Sequence, residues 1–129
     1  IIQGILQRDP VEKMNDRFMK SLLVTDINSD GNKEIITGLK NGWVHVFNAT
    51  GDLLWQHKFD AGVRCMEGID WKKSGFLVGL SNGEIHVMDS EGKIVYTAFM
   101  DSSVEKIVTK NNRVITGTSG GTIAELRLK

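Results

Sequence analysis

The chain has 129 residues, with 16 Lys plus Arg balanced by 16 Asp plus Glu, so its formal net charge is zero. That balance argues against a nucleic-acid binder, which needs a surplus of cations along the phosphate backbone, and against a polybasic membrane-surface segment. Fourteen glycines, a single proline and 40% hydrophobic residues predict short buried strands joined by tight turns, and they exclude a disordered or collagen-like chain. No apolar run approaches the ~20 residues of a membrane helix. The lone Cys65 excludes an intrachain disulfide and a cysteine-based zinc site.

Taken from the N-terminus, residues 1–8 hold an apolar run that reads as a single strand with no partner strand before it. Residues 9–16 open with Asp9-Pro10-Val11-Glu12, which suits one helical turn or a plain loop equally. Apolar, β-branched runs at 21–25, 34–37, 44–48 and 53–56 then predict four strands, parted by Asp, Asn and Gly clusters. The order repeats at 63–68, 76–78, 85–88 and 94–97, and again at 104–109, 113–116 and 123–126, with an Asn111-Asn112 turn in the third set. Asn41-Gly42 and Asn82-Gly83 predict two-residue hairpins of type I′, whose central positions both need positive φ. The strands are apolar on both faces, which predicts sheets covered on both sides.

The repetition is one of sequence as well as of elements. Gly38-Leu39-Lys40-Asn41-Gly42 recurs as Gly79-Leu80-Ser81-Asn82-Gly83, 41 residues on, and more weakly as Gly117-Thr118-Ser119-Gly120-Gly121, a further 38 on. Thr50-Gly51-Asp52-Leu53-Leu54-Trp55 matches Glu91-Gly92-Lys93-Ile94-Val95-Tyr96 at the same 41-residue offset. Four antiparallel strands every ~40 residues define an all-β fold of β-propeller blades. Blades are expected over 17–59, 60–100 and 101–129, the last without its outer strand, which residues 1–8 are placed to supply. Three blades are too few to close a ring, whose usual range is four to eight. The expectation is therefore either a piece of a longer propeller or a homodimer in which two copies complete six blades.

Two related repeat types resemble these blades. Phe47-Asn48-Ala49-Thr50-Gly51-Asp52-Leu53-Leu54-Trp55 resembles the pyrroloquinoline-quinone-type repeat, in which the Trp docks neighbouring blades. Asp26-Ile27-Asn28-Ser29-Asp30-Gly31-Asn32-Lys33-Glu34 resembles the FG-GAP type found in integrin heads. Alternate oxygen-bearing residues in a tight loop suit a hard cation such as Ca²⁺. Asp26, Asn28, Asp30, Asn32 and Glu34 are accordingly the candidate metal ligands. Glu34 departs from the Asp that calcium-binding members carry, and the alternative is a turn that only caps its own backbone.

Trp43 and Trp71 break the repeat and are the candidate partner contacts. His45 and His86 hold equivalent positions and are expected to pack between blades, as are Trp55 and Tyr96, while His57 stands alone. Cys65 falls mid-strand, as a buried structural thiol would. Neither Ser102-Ser103 nor any other segment forms a defensible catalytic constellation. The expected function is a non-catalytic module that binds a protein or peptide, without nucleic acid or membrane insertion. Part of a quinoprotein-like enzyme, or a calcium-stiffened adhesion module, is the alternative.

Overall fold

Each apolar run from residue 19 onward is bounded by residues that favour turns, and each forms a strand in the computed structural model, which describes residues 19–69, 75–110 and 112–127. The first sheet comprises β1 (Met19–Thr25), β2 (Glu34–Leu39), β3 (Trp43–Phe47) and β4 (Leu53–Lys58). The second comprises β5 (Val63–Gly68), β6 (Phe76–Leu80), β7 (Glu84–Met88) and β8 (Ile94–Phe99). The third comprises β9 (Val104–Lys110), β10 (Arg113–Thr118) and β11 (Ile123–Leu126). Every sheet is an antiparallel meander in chain order. The expected strand at 1–8, the segment 9–16 and Trp71 lie outside the described residues.

The three sheets share one irregularity. A register shift separates Met19 from Ser21, Val63 from Cys65, and the Val104 pair from the Lys106 pair, each opposite the strand that carries Gly38, Gly79 or Gly117. Met19, Val63 and Val104 are therefore structural equivalents, as are Lys20, Arg64 and Glu105. The first strands also lie side by side, β1 against β5 and β5 against β9.

The hairpins differ from the type I′ expectation. Gly42, Gly83 and Gly121 have φ of 99°, 92° and 90°, while Asn41 and Asn82 are not among the residues with positive φ. Gly42 N donates to Leu39 O (3.0 Å) and Gly83 N to Leu80 O (3.2 Å), which makes each connection a three-residue loop with glycine in the left-handed position. The Asn side chains act locally instead, Asn41 Oδ1 accepting from Trp43 N and Asn82 Oδ1 from Glu84 N. An Asx turn does the work that a second positive φ would have done.

The core lies between the sheets rather than within one. Ile36, Val44 and Val46 of the first sheet meet Val63, Phe76, Val78, Leu80 and Met88 of the second, with Ile27 and Phe59 closing the layer. Leu77 and Ile85, on the other face of the second sheet, meet Val104, Ile107 and Val114 of the third. The middle sheet is thus covered on both sides, and all five residues of β6 are buried. The expectation of two covered faces fails at the outer strands, where Leu53, Leu54, Ile94, Val95 and Phe99 are exposed. Outer strands are edges, and only their neighbours' side chains reach them.

The linkers between sheets are fastened in the same way twice. Phe59 N donates to Gly42 O, and Ser81 N to Gly62 O; one blade later, Met100 N donates to Gly83 O and Ser119 N to Ser103 O. Each passage from blade to blade is therefore pinned to the hairpins on both sides of it.

Candidate functional site

The loop between β1 and β2 is folded by its own acidic side chains. Asp26 Oδ1 accepts from Asn28 N and Asp30 N, and Asp26 Oδ2 accepts from Gly31 N at 2.8 Å. Asn28 Oδ1 accepts from Asp30 N, and Asp30 Oδ1 from Asn32 N at 2.8 Å. Ser29 (φ 60°) and Gly31 (φ 88°) supply the left-handed turns that bring these groups together. One carboxylate oxygen from each of Asp26, Asp30 and Glu34 lies within 4.8 Å of the others. A set made only of carboxylate and amide oxygens has the chemistry a hard cation takes.

The two ends of this loop titrate in opposite directions. Desolvation works against the charged form of Asp26, but backbone donors from Gly31, Asn28, Asp30 and Ser29 outweigh it and hold the carboxyl below its ordinary value. Glu34 is buried, and that burial is the main reason its carboxyl is pushed up. Asp30 and Asp26 add repulsion, against one bond from Ile27 N to Glu34 Oε1 at 2.9 Å. Of the five predicted ligands, the structure brings the carboxylates of Asp26, Asp30 and Glu34 together, and Asn28 and Asn32 belong to the same hydrogen-bonded turn.

Trp43 does not stand on a loop tip. It opens β3, half-buried, and begins a ladder of rings: its centroid is 5.8 Å from His45, which lies 6.3 Å from Phe47. The equivalent His86 is buried between the first two blades. Its Nδ1 lies 2.9 Å from Thr97 Oγ1 and its Nε2 2.8 Å from Glu84 Oε1, and its ring stacks on Phe59 at 5.0 Å. His57 meets the ring of Phe59 at 4.5 Å, so it is no isolated residue but part of the same interface. Desolvation, then the nearby His86, lowers its pKa.

Trp55 docks on the second blade. Its Nε1 donates to Ser90 O at 3.0 Å, its ring stacks on Phe76 at 6.0 Å, and Gly92 leaves room for it. Tyr96, expected to do the same, is exposed, because among the described residues the third sheet presents no turn equivalent to Ser90–Gly92. Cys65 is half-buried over Gly79, its Sγ 3.8 Å from Val104 O, and burial pushes its pKa up to about 11. A thiol held protonated is a packing group rather than a nucleophile. Ser102 joins a polar knot instead of a triad: Asp101 accepts from Thr122 Oγ1 (2.6 Å), Thr118 Oγ1 and Ser102 Oγ. Repeat matching missed this knot because, among the described residues, its hydroxyls at Thr118 and Thr122 are replaced in the second blade by Leu80 and Glu84.

Three consecutive antiparallel meanders, two of four strands and one of three among the described residues, packed face to face with their first strands adjacent, define a β-propeller. The family model of the Lambda-carrageenase beta-propeller domain matches residues 11–119, and the chain belongs to that family. Among solved structures, BBS1N in complex with ARL6DN superposes with a TM-score of 0.72 at 19% identity, over 83% of this chain and 34% of that one. Sqt1 from Saccharomyces cerevisiae gives 0.75 at 22% identity, over 83% of this chain and 32% of that one. BamB from Moraxella catarrhalis gives 0.62 at 23% identity, over 79% and 30%. The chain thus spans about a third of each of these structures, which share its fold. No curated protein matches the sequence significantly.

Proposed function

We propose that this chain is a non-catalytic propeller module that binds a protein or peptide partner. The observation that carries the reading is the outer edge of the second blade. Among the described residues, β8 pairs with β7 alone, and it exposes Ile94, Val95, Tyr96 and Phe99. An edge strand offers unpaired backbone groups to an extended peptide, and its apolar side chains supply specificity. The sheet that carries β8 is packed on both faces, so the edge is held rigid before a partner arrives. BBS1N, which shares the fold, was solved with ARL6DN bound, and this supports the same class of function.

Panning a displayed peptide library against the whole chain tests the reading. Selected peptides should bind Tyr96→Ser/Phe99→Ser at least about tenfold more weakly, both side chains being exposed and so removable without unfolding. Trp43→Ala reports separately on the face of the first blade. Failure to enrich any peptide, or equal binding to the double variant, would overturn the reading.

The acidic loop is proposed to hold a structural Ca²⁺ through Asp26, Asn28, Asp30, Asn32 and Glu34, in support of which three of its carboxylates converge. Calorimetry that shows neither heat on calcium addition nor a change in melting would remove it. A second reading, favoured by the family match, is the propeller part of a carrageenase. Retention on immobilised λ-carrageenan tests this, and an absorbance scan for bound quinone tests the quinoprotein alternative.

A further inference from the structure

Two of the hairpins carry the pair Asn-Gly, as Asn41-Gly42 and Asn82-Gly83, and the third has Gly120-Gly121 in its place. Asparagine before glycine carries its own modification chemistry. The backbone nitrogen that follows can close a five-membered ring on the side-chain carbonyl carbon, and glycine has no Cβ to hinder it. Both asparagines are exposed, so water reaches them.

The two hairpins differ in what holds the amide. In the first, Asn41 Oδ1 accepts from Trp43 N at 3.3 Å. That donor sits on the oxygen where negative charge builds as Gly42 N attacks Cγ, so it favours the reaction. In the second, Asn82 Oδ1 accepts from Glu84 N at 3.1 Å, and Asn82 Nδ2 also donates to Glu84 Oε2 at 2.8 Å. The carboxylate pins the leaving nitrogen and, being only an acceptor, cannot protonate it. Glu84 is itself fixed through its other oxygen, 2.8 Å from His86 Nε2. Trp43 stands where the second blade has Glu84, and among the described residues no carboxylate holds Asn41 Nδ2. In both hairpins the glycine nitrogen donates back to the preceding strand, to Leu39 O at 3.0 Å and to Leu80 O at 3.2 Å, so that bond must open in either case.

We infer that Asn41 is a site of spontaneous deamidation and that Glu84 protects its counterpart Asn82. Gly42 N gives up its proton and bonds to Asn41 Cγ, the Cγ–Nδ2 bond breaks, and the nitrogen leaves as ammonia with that proton. Water then opens the ring. Attack at Cγ gives aspartate, and attack at the main-chain carbonyl gives isoaspartate. No oxidant, reductant or enzyme takes part.

The product acts on the passage from the first blade to the second. Gly42 O accepts from Phe59 N at 2.9 Å, and the space a Cβ would take at Gly42 is filled by the carbonyls of Phe59 and Ala61. Ring closure takes the hydrogen from Gly42 N and so breaks its bond to Leu39 O. Isoaspartate then adds a methylene to the main chain of a three-residue loop, which moves Gly42 O off Phe59 N. The linker is thereby unpinned beside the ring of Phe59 that stacks on His86.

Ageing the whole chain in mildly alkaline buffer, followed by peptide mapping with mass spectrometry, tests this. Asn41 should gain one mass unit roughly five- to tenfold faster than Asn82, the difference that one hydrogen bond makes to a barrier. Isoaspartyl methyltransferase should label the peptide that contains Asn41. Glu84→Ala should bring Asn82 up to the rate of Asn41, and circular dichroism verifies that this variant is folded. In denaturant the two asparagines should react at closely similar rates, since the fold makes the difference. Equal rates in the folded chain, a gap that persists in denaturant, or an Asn82 indifferent to Glu84→Ala would each overturn the inference. The isoaspartate form should melt about 3–6 °C lower than fresh protein, whereas Asn41→Asp, which keeps the main chain, should melt close to wild type. Unchanged melting of the isoaspartate form would remove the effect on the linker. The reaction needs no partner, so it is read independently of peptide binding at β8.

Discussion

Glu34 shows how one side chain serves a turn and strains it at once. Its Oε1 closes the loop through Ile27 N, yet the carboxylate is buried beside Asp30 and Asp26. The folded pKa is raised, so the charged form is the one folding disfavours. The penalty is complete above the folded pKa. It fades as pH falls through that value and is gone below the ordinary 4.5, where both states are protonated. Glu34→Gln keeps an acceptor for Ile27 N and removes the charge. It should therefore raise the metal-free melting temperature by roughly 2–5 °C at neutral pH, and the gain should vanish near pH 4. If the loop holds Ca²⁺, the same substitution should lower the melting temperature in its presence. A pair of thermal scans with calcium and with chelator reads both signs. The equivalent glycines Gly79 and Gly117 give a second contrast. Gly79→Ala drives a methyl into Val104 and Cys65 and should cost about 1–3 kcal/mol, whereas Gly117→Ala should stay within about 0.5 kcal/mol by urea unfolding.

At the scale of elements, the blades are held by contacts that cross from one sheet to the next. The outer strand β4 is tied to the second blade by Trp55, whose indole reaches Ser90 O and covers Phe76. Trp55→Phe keeps the ring stacking but orphans that carbonyl, at a cost of about 1 kcal/mol. Trp55→Ala also empties the ring's site and should cost about 3 kcal/mol, the low end for a tryptophan because the side chain is only half-buried. Chemical denaturation of the two variants separates the hydrogen bond from the packing. Tyr96 occupies the matching place on β8 without such a dock, so Tyr96→Ala should change stability by no more than about 0.5 kcal/mol.

Across the whole molecule, the interface between the first two blades carries a titratable seam. Phe59 stacks on His86 across it and meets the tilted ring of His57. Desolvation, then the neighbouring His86, depresses the pKa of His57 in the folded state. Its neutral form is the one that packs. Stability is therefore unaffected well above the ordinary 6.5 and falls as pH drops through that value towards the folded pKa. Guanidinium unfolding at pH 7.5 and at pH 5.0 should show this loss, and His57→Asn should reduce it.

The strands and their grouping into blades were legible in the sequence because each blade repeats the same local instructions. In the first two blades these are a run of β-branched residues, an Asn-Gly turn and a second Gly turn, and the third keeps the run and a Gly-Gly turn. The positions of Gly38, Gly79 and Gly117 belong to this legible part, and so does the acidic loop, whose turn is made by its own side chains. Turn type was not legible: Asn-Gly permits two hairpin geometries, and the register of the flanking strands chose the longer loop. Nor could the sequence show that Glu34 is buried, that His57 joins the seam of His86, or that Tyr96 is left uncovered. Those facts depend on which sheet face meets which neighbour, and repeat-equivalent residues look alike whether or not a neighbour is present. Local chemistry, set within the reach of one side chain, was determined by the sequence itself. The environment of equivalent residues was decided only by the tertiary stacking of blades, because burial is a property of two surfaces and each repeat encodes only one.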